Sequence, residues 1–252
     1  MIHLVDPILE EAAGAFWMGA GEREGCPVDL ARAVALSLPL DVVAVSRLTI
    51  GRVEEWLMRR GVAYGFDDGD RPLYGLLVVY RGAGFIFLDG SDDEPTRRFT
   101  LAHETAHYLL DYLRHRRSAV RRLGDGVLDV LDGLRPPTPD ERLAAALTDV
   151  EIKAHVHLLA RADDAAAWQV RVGQAEEQAD RLALELLAPA AEIAAAVRDA
   201  GAGANFFRCA AEAEGLLRGA YGLPSLIASG YARRLARAIT GGPSLLTALA
   251  PK

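Results

Sequence analysis

His103, Glu104 and His107 stand in the run His103-Glu104-Thr105-Ala106-His107, and their types and spacing suit metal-assisted hydrolysis. On an α-helix, residues four apart share a face, so the two imidazoles can reach one ion. Glu104 lies about 100° further round, close to that ion without being one of its nitrogen ligands. Two neutral nitrogen donors, and a carboxylate able to take a proton from activated water, form the donor set of a zinc hydrolase. Zn2+ is therefore the expected cofactor, one ion per chain, although Mn2+ or Fe2+ would also suit these ligand types. With six histidines in 252 residues, the run arises by chance in roughly one chain in a hundred, so it calls for a third ligand.

A catalytic zinc takes three protein ligands and keeps one position open. The best source of the third is Glu176-Glu177-Gln178-Ala179-Asp180. Glu176 and Asp180 are four apart and share a helix face. Glu176 can then ligate the metal while Asp180 hydrogen-bonds the outer ring nitrogen of a ligand histidine. An acidic helix with its charges in water is the competing reading, and the upstream histidine pair favours the site. Asp111, four after His107, is either a similar support for that histidine or a solvent-facing residue. His155 and His157 are either structural or, if their segment folds over the cleft, a donor to the developing oxyanion or an extra ligand. Being two apart, they do not share a helix face, so at most one would point at the metal. Tyr108 and Tyr112 read as packing residues.

The surrounding pattern supplies elements to hold these groups. Residues 8–18, 26–35 and 46–60 read as helices from their apolar periodicity. Residues 61–66, 72–80 and 84–88 are rich in Val, Tyr, Phe and Leu and punctuated by Gly and Asp. They predict two or three short strands in a small antiparallel sheet, with residues 81–84 as a hairpin loop. Ser91-Asp92-Asp93-Glu94-Pro95 is a helix start, and the metal-motif helix it opens extends to about Arg117. One side of that helix carries Phe99, Ala102, Ala106, Leu109 and Leu113, an apolar stripe able to pack on the sheet. Thr138-Pro139-Asp140-Glu141 reads as a capping box opening a helix to Ala160. Helices over 169–188, 190–200, 206–221 and 225–239 complete the chain. The fold class is α+β, mainly helical, with the small sheet packed on the helix of the metal motif.

A net charge of −7 argues against a broad nucleic-acid-binding surface. The basic clusters Arg114-His115-Arg116-Arg117 with Arg121-Arg122, and Arg233-Arg234 with Arg237, read as solvated helix faces. No apolar run has the length of a membrane span. Met1 to Asp6 lacks the basic and apolar regions of a secretory signal. The two cysteines, Cys26 and Cys209, show no metal-ligand spacing and read as ordinary thiols. A cytoplasmic location is expected.

Taken with Arg98-Phe99-Thr100-Leu101-Ala102 before the histidine motif, the later Glu176-x-x-Ala179-Asp180-x-x-Ala183-x-x-Leu186-Leu187-Ala188-Pro189 resembles the ImmA/IrrE family of metallo-endopeptidases. The resemblance is strongest over residues 60–115 and 174–190. It implies a zincin-like, gluzincin-type protease domain over residues 1–190, with a helical part at 1–60, the sheet at 61–90 and metal-site helices at 95–117 and 169–188. A C-terminal helical segment follows at 191–252. By motif position, His103, His107 and Glu176 would be the metal ligands and Glu104 the catalytic carboxylate. Sixty-nine positions separate His107 from Glu176, more than in compact members, which marks residues 118–168 as a helical insertion. Thr105 stands where Leu is more common. The implied activity is site-specific cleavage of a regulatory protein, such as a helix-turn-helix repressor, in transcription regulation or stress response. The rival reading is a non-catalytic interaction protein on a metalloprotease-like scaffold. The turn Tyr221-Gly222-Leu223-Pro224-Ser225 between two helices lends that rival a helix-turn-helix flavour, and DNA association with it.

Overall fold

The computed structural model describes residues 5–21, 23–62, 65–66, 69–80, 82–148, 156–160 and 170–243. Its elements run α1 (Pro7–Ala20), α2 (Leu30–Ser37), β1 (Leu40–Val45), α3 (Ile50–Met58), β2 (Leu73–Tyr80), β3 (Ala83–Asp89) and α4 (Glu94–His107). A π-helical segment, Tyr108–Leu113, continues α4 into α5 (Arg114–Leu123). Then come α6 (Val127–Leu131), α7 (Pro139–Thr148), β4 (Val156–Ala160), α8 (Val170–Leu187), α9 (Ala190–Asp199), α10 (Phe206–Gly219) and α11 (Ser225–Thr240). The class is α+β and mainly helical, as expected.

The sheet departs from the expected antiparallel form. Its strand order is β1-β3-β2-β4, with β1 parallel to β3 and the other two pairings antiparallel. Strand β1 carries no clean alternation and is identified only by its long-range partner. Strand β4 corrects the helix expected to run to Ala160, and with it the purely helical insertion at 118–168. A short Val-His-Leu-Leu-Ala run fits either period, and pairing with β2 decides it. The strand expected at 61–66 is absent over its described residues. Gly61 turns the chain with φ 77°, and the Phe66 N–H donates to Glu54 Oε1 at 2.8 Å.

Side chains of β2 and β3 alternate between two cores. Leu77, Val79, Ile86 and Leu88 join the main core under α1, α4 and α8. Leu76, Val78 and Phe87 pack with Leu48, Ile50, Val53 and Leu57 on and beside α3. Leu73 shares this second core despite its odd number. The register irregularity between Leu73 and Gly75 supplies the change of parity.

Helix α4 starts where its signal predicts, with Asp93 accepting from the Thr96 N–H at 2.9 Å and Pro95 in the first turn. Residues Thr100 to His107 are all buried, because the sheet covers one side of α4 and α8 another. The capping box at α7 is reciprocal: the Thr138 N–H donates to Glu141 Oε2, and the Glu141 N–H donates to Thr138 Oγ1.

The C-terminal helices share the main core. Cys209, Ala213 and Leu217 of α10, with Ala228, Tyr231, Ala232 and Leu235 of α11, belong to the same cluster as Leu182 and Leu186 of α8. Tyr231 donates to the Ala188 carbonyl at 3.1 Å. Arg98 of α4 reaches the Tyr221 carbonyl at 3.1 Å and the Val28 carbonyl at 3.2 Å, binding the α10–α11 turn to the metal-motif helix. Gly222 in that turn has φ 62°, and a Cβ there would lie 2.6 Å from the Arg98 guanidinium. Both cysteines are free thiols. Among the described residues, no helix is long and apolar enough to cross a membrane.

Glu185 of α8 is buried, and its Oε2 accepts from the Ala190 N–H at 3.0 Å, capping the start of α9. Burial pushes its carboxyl above the ordinary value of 4.5, despite that hydrogen bond. A raised pKa means the native state holds the proton more tightly than the unfolded chain. Its stabilising effect is therefore full below 4.5 and is lost as pH rises through the raised value. Glu185→Gln keeps the acceptor and removes the charge. Thermal melts at about pH 5 and pH 8 should show a smaller loss of Tm with rising pH in the variant than in the parent. Equal losses would contradict the assignment.

Candidate metal centre

Helix α4 and helix α8 face each other across the site. His103 and His107, one turn apart on α4, direct their Nε2 atoms to the same point, 3.1 Å from each other. Glu176 of α8 places Oε2 3.3 Å from His103 Nε2 and Oε1 3.5 Å from His107 Nε2. These donor atoms all lie within 4.8 Å of one another. Tetrahedral bonds of about 2.0–2.1 Å place ligand atoms about 3.3–3.4 Å apart, so the spacing fits one small divalent ion.

Each imidazole is held from behind. Asp180 Oδ1 lies 2.9 Å from His103 Nδ1, and Asp111 Oδ2 lies 2.6 Å from His107 Nδ1. An ionised carboxylate only accepts, so each Nδ1 carries a proton, and Nε2 is the atom left to bind an ion. Asp111 stands in the π-helical segment, a wider turn set directly behind the second histidine. Burial alone would depress the His103 imidazolium, but the carboxylates of Asp180 and Glu176, with the charge of Glu104, outweigh it and raise the group to about 9. The surroundings thus stabilise positive charge where a metal ion would sit.

His103, Glu104 and His107 are almost wholly buried, whereas the Glu176 side chain is 16% and the Asp180 side chain 48% exposed. Solvent therefore reaches the site along the α8 side. Of the two remaining candidates, His155 lies outside the described residues. His157 stands on β4 at the register position opposite Leu77, not on the expected helix.

Gly75 also belongs to the site, although its residue type carries no chemistry of its own. A Cβ there would fall 2.5 Å from Thr100 Cγ2 and 2.9 Å from Glu104 Oε1, so the bare backbone of β2 forms the notch that seats Glu104. An isolated glycine in a strand pattern signals such a close approach, and that signal was available. Gly75→Ala should displace Glu104 while sparing the histidines, which face α8. Hydrolysis is expected to drop by about 10²-fold with metal affinity retained, both measured on one preparation. Full activity in this variant would show that the notch does not position the carboxylate.

A histidine pair on one helix, the intervening glutamate and a carboxylate from a second helix are the arrangement of a metallopeptidase centre. Residues 63–123 match the Peptidase_M78 family model, described as an IrrE N-terminal-like domain, in agreement with the ImmA/IrrE resemblance of the motif. The match includes β2, β3 and α4. Glu176 and Asp180 lie beyond it and reach the site through the packing of α8 on α4. No curated protein and no solved structure matches the chain.

Proposed function

We propose that this chain is a metal-dependent endopeptidase that cuts a regulatory protein, such as a helix-turn-helix repressor, at a specific bond. The supporting observation is the convergence of His103 Nε2, His107 Nε2 and the Glu176 carboxylate at mutual distances of 3.1–3.5 Å. Two imidazoles and one carboxylate suit Zn2+. When bound, such an ion supplies Lewis-acid activation of water and of the scissile carbonyl.

The chain's own groups do the rest. Asp180 and Asp111 keep both imidazoles in the ligating tautomer and fix their planes. Glu104, seated in the Gly75 notch next to the ligand helix face, accepts the proton of the attacking water and returns it to the departing amine. Burial of Glu104 and both histidines excludes bulk water from the proton's path. The partial exposure of Glu176 and Asp180 makes the α8 side the route by which substrate would approach.

The test is co-incubation of the zinc-loaded chain with helix-turn-helix repressors encoded beside it, with and without a chelator. A single cut that the chelator abolishes is expected. Metal-independent association with the repressor or with DNA, and no cleavage, would favour the non-catalytic reading.

A further inference from the structure

The basic cluster of α5, by spacing a solvated helix face, borders a groove. Arg114, Arg117 and Arg121 of α5 line one side of a cavity of about 390 Å³ between α1 and the helix continuing from α4. Its floor is apolar, formed by Ala12 and Phe16 of α1 and by Leu109 and Leu113 of the π-helical segment. The three arginines are exposed and lie at positions i, i+3 and i+7, a single helix face. None is within ion-pair distance of a described carboxylate, in contrast to Arg116, which pairs with Asp132 at 2.6 Å. Like charges three and four apart repel one another, and of this row only Arg121, in the last turn of α5, is favoured by the helix dipole. Among the described residues, the one acidic residue lining the groove is Glu11.

We propose that this groove receives an acidic amphipathic helix from a partner protein. Three features select that occupant. The arginines spread over about 10 Å of helix, which matches carboxylates one turn apart and not a single anionic headgroup. The floor accepts apolar side chains beside them. Ile8, at the groove margin, is exposed, as are Met18 and Leu36, the sequence neighbours of lining residues Gly19 and Ser37, so apolar surface continues past the cavity. A flat anionic membrane fits a concave site poorly, because its surface cannot reach the apolar floor. The proposal is independent of the peptidase reading.

The test uses the full chain and a short fluorescein-labelled helical peptide, with leucines on one face and glutamates three and four apart beside them. A lysine-for-glutamate peptide and phosphatidylglycerol–phosphatidylcholine vesicles serve as controls. The acidic peptide should bind, more weakly as salt rises, and the lysine peptide and vesicles should not. Two variants separate charge from shape: the double change Arg117→Glu with Arg121→Glu, and Ala15→Trp, which fills the groove from an exposed position on α1. Each should weaken the peptide by about ten-fold or more, with the circular dichroism spectrum and Tm unchanged as the control for folding. Absence of peptide binding, binding by either variant as tight as the parent's, or vesicle binding that the arginine changes abolish would overturn the proposal.

Discussion

Glu104→Gln is expected to leave metal affinity unchanged and to lower peptide-bond hydrolysis by about 10²–10⁴-fold, the usual contribution of a positioned general base. The substitution preserves shape, so the contacts with Gly75 and Thr100 are retained. It removes only the ability to hold a proton as a carboxylate does. Glu104 is fully buried, and neutralising a buried carboxylate should leave Tm unchanged or higher. Loss of activity with undiminished stability and full metal content separates a chemical role from a folding one. Retained proteolysis in Glu104→Gln would sink the assignment of the base.

Glu176→Ala should act on the metal itself. With one of three donors gone, affinity for zinc, measured by competition with a chromophoric chelator, should fall further than the about 10–100-fold that loss of a supporting carboxylate costs. Asp180→Asn is the internal comparison. It spares all three donor atoms and weakens only the hydrogen bond to His103 Nδ1, so its effect should be the smaller. Glu176 is partly exposed, so the variant should fold. If the two substitutions weaken zinc equally, or if Glu176→Ala binds as tightly as the parent, Glu176 is not a ligand.

Local signals carried much of the reading. Asp93, Pro95 and the acidic first turn announce α4, and the four-residue interval between His103 and His107 places both rings on one face wherever that helix stands. The Thr138–Glu141 capping box is equally local, and both hydrogen bonds that define it form. Glu176 and Asp180 share a face by the same four-residue rule. These features need only helical geometry, which a few neighbouring residues suffice to set.

The remainder depends on partners distant along the chain. Leu40–Val45 becomes a strand because β3 offers a parallel edge, and Val156–Ala160 because β2 offers an antiparallel one; neither segment carries a decisive period of its own. The seat of Glu104 exists because β2 passes α4 at Gly75, where a side chain would collide. Asp180 supports His103, and not solvent, because α8 packs on α4 across 77 positions of sequence. The Arg114–Arg121 row borders a groove because α1 lies beside it. The sequence by itself determined the donor types and their spacing on each helix, since both follow from covalent order and helical pitch. Tertiary structure alone decided which carboxylates meet which imidazoles, because that depends on the burial of apolar faces that no local window contains.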